Sequence, residues 1–296
     1  MNKILIAALL VLAFSAVPGF AQTLPGTTKK DQSKLDEIRR RMVEIDNKIE
    51  IVELRKNEEP ARRAQLVRQP VLRYTDEPIR IFDASLWVWT AHGRSVAVQK
   101  LEAYSPRPGT ALWTTCLCSL TPGRITTTWP TKRNGEARTF ASTKAGIDFK
   151  PIPLTDVPGE SKTARKLAVR RIARRFKAVA FNSPGKESPM RLMPSPVFEY
   201  IASGDKPCGA VFALTRSTNP DLLLSLELRP TKEGPRSWHY GVSRMLVRAA
   251  RVQFNDETLV QLPAVPVNNT NVFDAWTFFY DKRTALTERE SESQLK

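Results

Sequence analysis

The sequence repeats itself, and this repeat constrains the fold more than any other feature of the chain. Residues 66–74 (LVRQPVLRY) return as residues 192–200 (LMPSPVFEY). Farther along, an ungapped alignment at an offset of 125 residues pairs chemically similar positions: Trp87 with Phe212, Leu101 with Leu226, Glu102 with Glu227, Gly109 with Gly234 and Trp113 with Trp238. We therefore expect two copies of one structural unit, packed against each other.

In each half, a helical pattern precedes short β-strand patterns that are separated by turn residues. The strands predicted in the first half are Val71–Tyr74, Ala84–Thr90, Ser95–Tyr104, Leu112–Leu120 and Ile125–Trp129. Those predicted in the second half are Val197–Tyr200, Ala210–Thr215, Leu222–Leu228, Trp238–Leu246, Val247–Phe254 and Thr258–Leu262, with a last strand at Trp276–Tyr280.

These elements predict an α+β fold of two pseudo-symmetric helix-plus-antiparallel-meander units, which form a joint sheet or a split barrel. Such packing lets one copy cover the exposed sheet edge of the other. The predicted segments are a signal peptide at 1–21, a first unit at 31–130, a Pro-rich linker at 131–159, a second unit at 160–281 and a disordered tail at 282–296.

The first predicted helix carries apolar residues at alternating spacings of three and four. They are Leu35, Ile38, Met42, Ile45, Ile49 and Val52. This spacing is a heptad seam. Two interpretations stay open: a short coiled coil that forms a homodimer through the Leu35–Val52 helix, or an amphipathic helix that lies on its own unit.

The first residues have the pattern of an export signal. Lys3 precedes the apolar run 4–17, which Pro18 and Gly19 end, and small residues lead up to Ala21. We expect cleavage after Ala21 and a periplasmic or extracellular protein. Because no later stretch has about 18 consecutive apolar residues, we expect no transmembrane segment in the mature chain, which should be soluble or peripheral.

The chain is strongly basic, and one segment concentrates that charge. Lysine and arginine number 46 against 30 acidic residues, a formal charge of +16. On a helix predicted at 161–181, Lys166, Arg170, Arg174 and Lys177 share one face. This row is a candidate site for an anionic polysaccharide or lipid surface; nucleic acid is not an expected partner of an exported protein. The alternative is a solvated outer face.

Catalytic and metal-binding signals are weak. Cys116, Cys118 and Cys208 are predicted to be buried free thiols, although a bridge from Cys208 to one of the others is possible. A nucleophile–base pair of His239 with Cys116 or Cys118 is the enzymatic alternative, but no third, orienting group is evident. We predict no catalytic residue, no metal and no cofactor.

Two tryptophans form a second candidate for ligand binding. Trp87 and Trp89 lie two residues apart on a predicted strand, so both rings should lie on one sheet face. Aromatic rings on a sheet face can stack on sugars or bases. Their repeat equivalents Phe212 and Leu214 are apolar, which favours a place in the core.

Several segments together resemble an uncharacterised family of exported bacterial proteins. They are 70–74 (PVLRY), 85–89 (SLWVW) with Gly93 and Arg94, 166–176, 192–200, 218–224 (TNPDLLL) and 277–279 (TFF). The resemblance covers most of the mature chain, but it implies no activity and no site residue. One departure is Cys208-Gly209, where a small acidic-glycine turn would be expected.

The sequence thus predicts an exported non-enzymatic binding or structural protein of the bacterial envelope, which docks an anionic polymer or surface through its basic helix. Two alternatives stay open: a hydrolase or thiol enzyme with a Cys–His pair, and an envelope component that oligomerises through its first helix.

Overall fold

A computed structural model describes residues 39–40, 48–52, 62–104, 112–130, 137–153, 159–183, 185–201, 208–231, 235–265 and 270–284. In chain order its strands are β1 (Lys48–Val52), β2 (Arg62–Arg63), β3 (Gln65–Leu66), β4 (Leu72–Asp76), β5 (Ile81–Ala91), β6 (Arg94–Tyr104), β7 (Leu112–Ser119), β8 (Arg124–Pro130), β9 (Ala137–Ala141), β10 (Lys150–Pro151), β11 (Phe176–Ser183), β12 (Lys186–Leu192), β13 (Phe198–Tyr200), β14 (Gly209–Thr215), β15 (Pro220–Arg229), β16 (Ser237–Arg244), β17 (Ala250–Phe254), β18 (Glu257–Leu262), β19 (Thr270–Phe273) and β20 (Trp276–Thr284). Helix α1 (Lys162–Ala173) precedes β11, and a 3₁₀ turn at Glu77–Ile79 precedes β5.

The strands pair antiparallel in three sheets. One has the order β2-β1-β8-β9, and a second has the order β19-β20-β7-β6-β5-β3 with β4 on β5. The third has the order β10-β16-β15-β14-β12-β11-β17-β18 with β13 on β14. The protein is therefore β-rich and contains a sheet curled into a half-barrel. The expected α+β class overestimates the helical content, because α1 is the only full helix among the described residues.

Two meanders, β4–β7 and β13–β16, pair their strands in the same register. In the first, Tyr74 lies opposite Ala84, Ala84 opposite Glu102 and Glu102 opposite Thr114. In the second, Tyr200 lies opposite Gly209, Gly209 opposite Glu227 and Glu227 opposite His239. The two meanders lie in different sheets, and no ladder joins them among the described strands, so the expected joint sheet is wrong.

Both predicted helices end differently in the structure. Residues 39–40 are helical, but Lys48–Val52 is strand β1, paired with β8. Ile49 and Ile51 also alternate with charged residues at period two, and β-branched side chains favour strands, so the C-terminal end of the predicted heptad seam does not belong to a helix. The rest of the predicted Leu35–Val52 helix lies outside the described residues.

The second predicted helix stops eight residues early. Ser161 caps α1, since its Oγ accepts a hydrogen bond from the Ala164 backbone N–H at 3.1 Å. The helix ends at Ala173, and β11 follows, with Phe176, Ala178 and Ala180 buried at period two. The helical spacing and the strand alternation overlap in sequence here, and pairing of β11 with β12 and β17 selects the strand.

The described part of the segment predicted as a linker, residues 137–153 and 159, is part of the fold. Residues 131–159 contribute β9 and β10, and they bury Phe140, Ile147 and Ile152. Of the predicted signal peptide and tail, 1–21 and 285–296 lie outside the described residues, whereas β20 extends to Thr284.

Three apolar clusters fill the spaces between these layers. The cluster between the two meanders includes Leu86, Val88 and Val98 of the first and Val211 and Leu223 of the second. The other face of the first meander packs on β8 and β9. The other face of the second packs on α1, β11 and β17, so each meander is buried on both faces.

Candidate anion-binding surface

Helix α1 presents the candidate surface because its opposite face is anchored in the core. Val169 and Ile172 are buried against the second meander. Arg165 is also buried, and its Nε donates to the Gly159 carbonyl at 3.0 Å. The helix orientation is therefore fixed, and the side chains on its far side face solvent.

The outermost stripe of α1 combines positive charge with an exposed apolar side chain. Thr163, Leu167, Arg171 and Arg174 are exposed at helical spacings of four, four and three. Leu167 is 65% exposed, more than the two other large hydrophobic residues that the described surface exposes. Arg170 and Arg171 lie in the last turn, where cations favour the negative end of the helix dipole.

Glu199 partly neutralises the row that the sequence predicts. Lys166 Nζ lies 2.5 Å from Glu199 Oε1, and Arg170 Nη2 lies 3.7 Å from Glu199 Oε2. Glu199 belongs to β13, and all three side chains are about one-third exposed or more. Two of the four predicted cations thus share one carboxylate. The residue spacing within α1 does not predict this contact, because Glu199 lies on another element.

The other two members of the row are separated by the end of the helix. Arg174 is the exposed C-cap residue of α1. Lys177 lies on β11, and its Nζ is 2.7 Å from Asp256 Oδ1, with both side chains well exposed. The predicted row is therefore not one helix face.

Each meander contains a hydrogen bond between a tyrosine and a glutamate, and the two bonds lie at equivalent positions. Tyr74 Oη donates to Glu102 Oε1 at 2.6 Å, and Tyr200 Oη donates to Glu227 Oε2 at 2.7 Å. Burial, followed by the adjacent glutamate, raises the pKa of each tyrosine well above its usual value. Both phenols stay protonated donors at neutral pH. The repeat alignment contains all four residues, but sequence reasoning missed the contact because it treated them only as repeat markers.

The cations beside the two glutamates come from different places. Lys100 Nζ is 3.6 Å from Glu102 and donates to Asn219 Oδ1 at 2.8 Å. Burial lowers the pKa of Lys100, but attraction to Glu102 and other neighbours outweighs burial and raises the pKa overall. Glu227 of the second meander lies 3.4 Å from Arg94, which belongs to the first meander, and 3.0 Å from Arg229 of its own strand.

The thiols do not form the predicted enzymatic pair. All three cysteines are buried thiols, as expected. Burial raises the pKa of Cys116 to about 12, and it also raises that of Cys118, so both stay protonated at neutral pH. His239 Nδ1 lies 3.1 Å from the Ser237 carbonyl, and no hydrogen bond between His239 and Cys116 or Cys118 exists in the described part of the chain. This arrangement does not supply an activated nucleophile.

The paired tryptophans belong to the core. Trp87 and Trp89 are 0% and 3% exposed. Their indole nitrogens donate to Ser85 Oγ at 2.9 Å and to Gln99 Oε1 at 3.2 Å. The interpretation as core residues is confirmed, and neither ring is available to stack on a ligand.

Comparison with protein-family models, curated proteins and solved structures finds no match. Among the described residues, no group of three or more His, Cys, Asp or Glu side chains is placed to hold a metal ion. In the same ranges, no helix has both the length and the apolar character needed to cross a membrane.

Proposed function

We propose that this chain is an exported, non-enzymatic binding or structural protein of the bacterial envelope, which docks an anionic polymer or surface through the outside of α1. The observation that carries this proposal is the exposed stripe of Leu167, Arg171 and Arg174. A leucine in a basic, solvent-facing stripe adds apolar contact to charge attraction, as interfacial helices do.

The charge balance around α1 supports the same function. Residues 160–177 contain eight Lys or Arg and one acidic residue, Glu160. Glu199 and Asp256 add two carboxylates from other strands. The neighbourhood remains strongly positive, so it attracts polyanions, and the attraction weakens as salt screens it.

Elution from a heparin column tests the proposal. We expect the variant with Lys166, Arg170, Arg174 and Lys177 changed to Gln to elute at clearly lower salt than the unchanged protein. A matched control variant changes four exposed basic residues elsewhere to Gln: Arg68, Arg124, Lys144 and Lys150. Equal shifts in both variants would mean that net charge alone causes retention, which would contradict docking through α1.

Export is part of the proposal and has its own test. A protein expressed with residues 1–21 in a bacterial host should be recovered outside the cytoplasm with Gln22 as its first residue, read by mass spectrometry. Full-length protein retained in the cytoplasm would contradict export without affecting the heparin result.

We also propose that the two halves are copies of one unit related by a pseudo-two-fold axis. The equivalent register of β4–β7 and β13–β16 supports this, and so do matching pairings outside the meanders. Ladders β3–β5 and β12–β14 correspond, as do β1–β8 and β11–β17.

Contacts between the halves also support the two-fold relation. Arg94, at the start of β6, contacts Glu227, and its equivalent Asn219, just before β15, accepts a hydrogen bond from Lys100 and lies 3.3 Å from Tyr74 Oη. Each hairpin thus reaches the tyrosine–glutamate pair of the other meander. Cys118 and Ser243, which are equivalent at the offset of 125 residues, both donate to the Ser119 carbonyl, at 3.6 and 3.3 Å.

A further inference from the structure

Arginines from four separate segments lie at one end of the third sheet. They are Arg191 of β12, Arg216 after β14, Arg244 of β16 and Arg248 before β17. Asn182, near the end of β11, joins two of them: its Oδ1 accepts from Arg216 Nη1 at 3.4 Å and from Arg248 Nη1. One neutral oxygen therefore receives two positively charged donors.

The surrounding contacts hold three of these arginines in place. Arg216 forms a bidentate pair with Asp221, at 2.9 and 2.8 Å. Arg244 donates to the carbonyls of Leu246, Pro263 and Arg248 at 3.1, 2.8 and 2.8 Å. Arg191 donates to the Ser217 carbonyl at 2.9 Å.

Backbone carbonyl groups satisfy the N–H donors of these arginines, but they do not neutralise the positive charge of the guanidinium groups. Burial lowers the pKa of Arg244, and no acidic neighbour offsets that effect. Two buried carboxylates lie near the cluster: Asp221, which is already engaged by Arg216, and Asp76, which accepts from Ser217 Oγ and also attracts Arg216. Four guanidinium groups therefore exceed the nearby negative charge of the described residues. Each guanidinium has five N–H donors, so the described bonds leave many donors at this end of the sheet.

We propose that Asn182 and the surrounding arginines form a binding site for a phosphate or sulfate group. The Asn182 oxygen marks the place where Arg216 and Arg248 can both donate. An oxyanion that displaces the exposed Asn182 side chain from these donors would form charge-assisted hydrogen bonds with planar guanidinium groups, whose geometry suits phosphate, and it would relieve the repulsion between them. Asn182, Arg191 and Arg248 are exposed, so a group from solvent can reach the site.

Thermal unfolding with inorganic phosphate tests this site, with sodium chloride at matched ionic strength as the reference. We expect a saturable rise in Tm with phosphate that chloride does not reproduce. Arg248→Gln, a change at an exposed side chain, should weaken the apparent phosphate affinity about tenfold or more, since it removes a charge-assisted bond.

Asn182→Asp is the sharper variant because it places a carboxylate where the anion is proposed to bind. We expect its Tm at low salt without phosphate to exceed that of the unchanged protein, and the phosphate-dependent rise to disappear. A rise that chloride reproduces, or one that is unchanged in Arg248→Gln and Asn182→Asp, would overturn the proposal.

The four-residue α1 variant separates this site from the proposed docking surface, since it should keep the full phosphate response. Heparin fragments, used in a second titration, distinguish the two sources of the anion. Saturation at a lower concentration of anionic groups than with inorganic phosphate would assign the site to a polymer-borne group. Saturation at an equal or higher concentration would assign it to the free ion.

Discussion

Glu102 and Glu227 occupy equivalent places in the two meanders, yet they are neutralised in different ways. Glu102 faces Lys100, which lies two residues away on the same strand and is as buried as the glutamate. Glu227 faces Arg94, whose side chain is 40% exposed, and Arg229, whose side chain is 28% exposed. The backbone register is the same, but one glutamate has a buried cation and the other has cations at the surface.

This difference indicates that the hydrogen bond from tyrosine, rather than any particular cation, is the common feature of the two sites. The residue equivalent to Lys100 is Ser225, whose Oγ is buried without a hydrogen-bond partner among the described residues. A buried carboxylate requires compensation, and a nearby strand or a neighbouring hairpin can supply it. The free energy of unfolding that is lost when the compensating cation is removed therefore depends on whether that cation is buried or partly exposed.

The largest expected effect is that of Lys100→Met, which leaves Glu102 without its cation in the interior. We expect a loss of about 3–5 kcal/mol in the free energy of unfolding, the range for breaking one partner of a buried pair. Arg94→Met is the matched variant, and it should cost about 0–1 kcal/mol because Arg94 is partly exposed and Arg229 remains. Urea denaturation measures both, and similar losses would break the proposed difference between the two meanders.

A smaller effect is expected at the residue that faces each tyrosine. Ala84 in the first meander corresponds to Gly209 in the second. A Cβ built on Gly209 would lie 2.5 Å from Tyr200 Oη and 2.7 Å from the Leu226 carbonyl oxygen. Gly209→Ala must therefore displace the Tyr200–Glu227 bond or the neighbouring strand, at about 1–3 kcal/mol.

The reverse change, Ala84→Gly, creates no clash and should cost about 0.5–1 kcal/mol through backbone freedom alone. Denaturant midpoints of the two variants test the contrast. If Gly209→Ala lowers the free energy of unfolding no more than Ala84→Gly does, the space beside Tyr200 is larger than its contacts indicate, and the two meanders pack alike at this position.

Alkaline pH should affect both tyrosine–glutamate pairs in the same direction. The folded-state pKa values of Tyr74 and Tyr200 lie above the unfolded value of about 10, so their contribution to stability is full below that pH and is lost as pH rises through the folded-state values. Lys100, whose pKa is also raised, acts in the same sense. Burial also raises the pKa of the Cys116 and Cys118 thiols, so their contribution to stability decreases as pH rises above about 8.5.

Single variants isolate the tyrosine contribution. Tyr74→Phe should cost about 0.5–1.5 kcal/mol at neutral pH, the net value of one hydrogen bond, and should flatten the loss of stability above about pH 10. Tyr200→Phe should do the same. Denaturation at several pH values measures both effects, and an unchanged slope in both variants would show that neither phenol titrates with unfolding.

Most strands follow from alternation and turn residues alone. β5, β6 and β7 lie within one to three residues of the predicted bounds, and so do β14 and β15. Here β-branched and aromatic residues are framed by Gly, Pro and Asn, so local preference agrees with the pairing. The repeat alignment adds the register, since an offset of 125 residues reproduces the β5–β6 pairings from Ala84↔Glu102 to Thr90↔Ser95 and the β6–β7 ladder.

The errors arise where two periodicities coexist. Ile49 and Val52 complete a heptad seam, but Ile49 and Ile51 also alternate, and only pairing with β8 selects the strand. Similarly, Lys177 extends the helical spacing of Arg170 and Arg174, although it lies on β11. Long-range pairing decides such segments, and a local pattern does not contain it.

The candidate surface was predicted only in part, for a related reason. The basic row is visible in the sequence, and so is its helical spacing. Glu199, which lies 33 residues beyond Lys166, becomes its partner only because β13 is positioned beside α1. The arginines around Asn182 come from four segments, so no spacing along the chain indicates that they meet.

The smallest expected change in stability accompanies a change in binding at Glu199. Its equivalent in the first meander is Arg73, so the two halves carry opposite charges at this position. Glu199→Gln frees Lys166 and Arg170 from their shared carboxylate, and because these pairs are partly exposed, the free energy of unfolding should change by about 0–1 kcal/mol. Retention on heparin should nevertheless increase, since one negative charge leaves the docking surface.

Asp256→Asn is the matched variant, because it frees Lys177 at the edge of the same surface. We expect a smaller increase in retention, since one cation is released instead of two. Elution salt for the two variants, read against the unchanged protein, ranks the contributions. If Glu199→Gln elutes earlier or unchanged, Lys166 and Arg170 take no part in docking, and the contact surface reduces to the outer stripe of Leu167, Arg171 and Arg174.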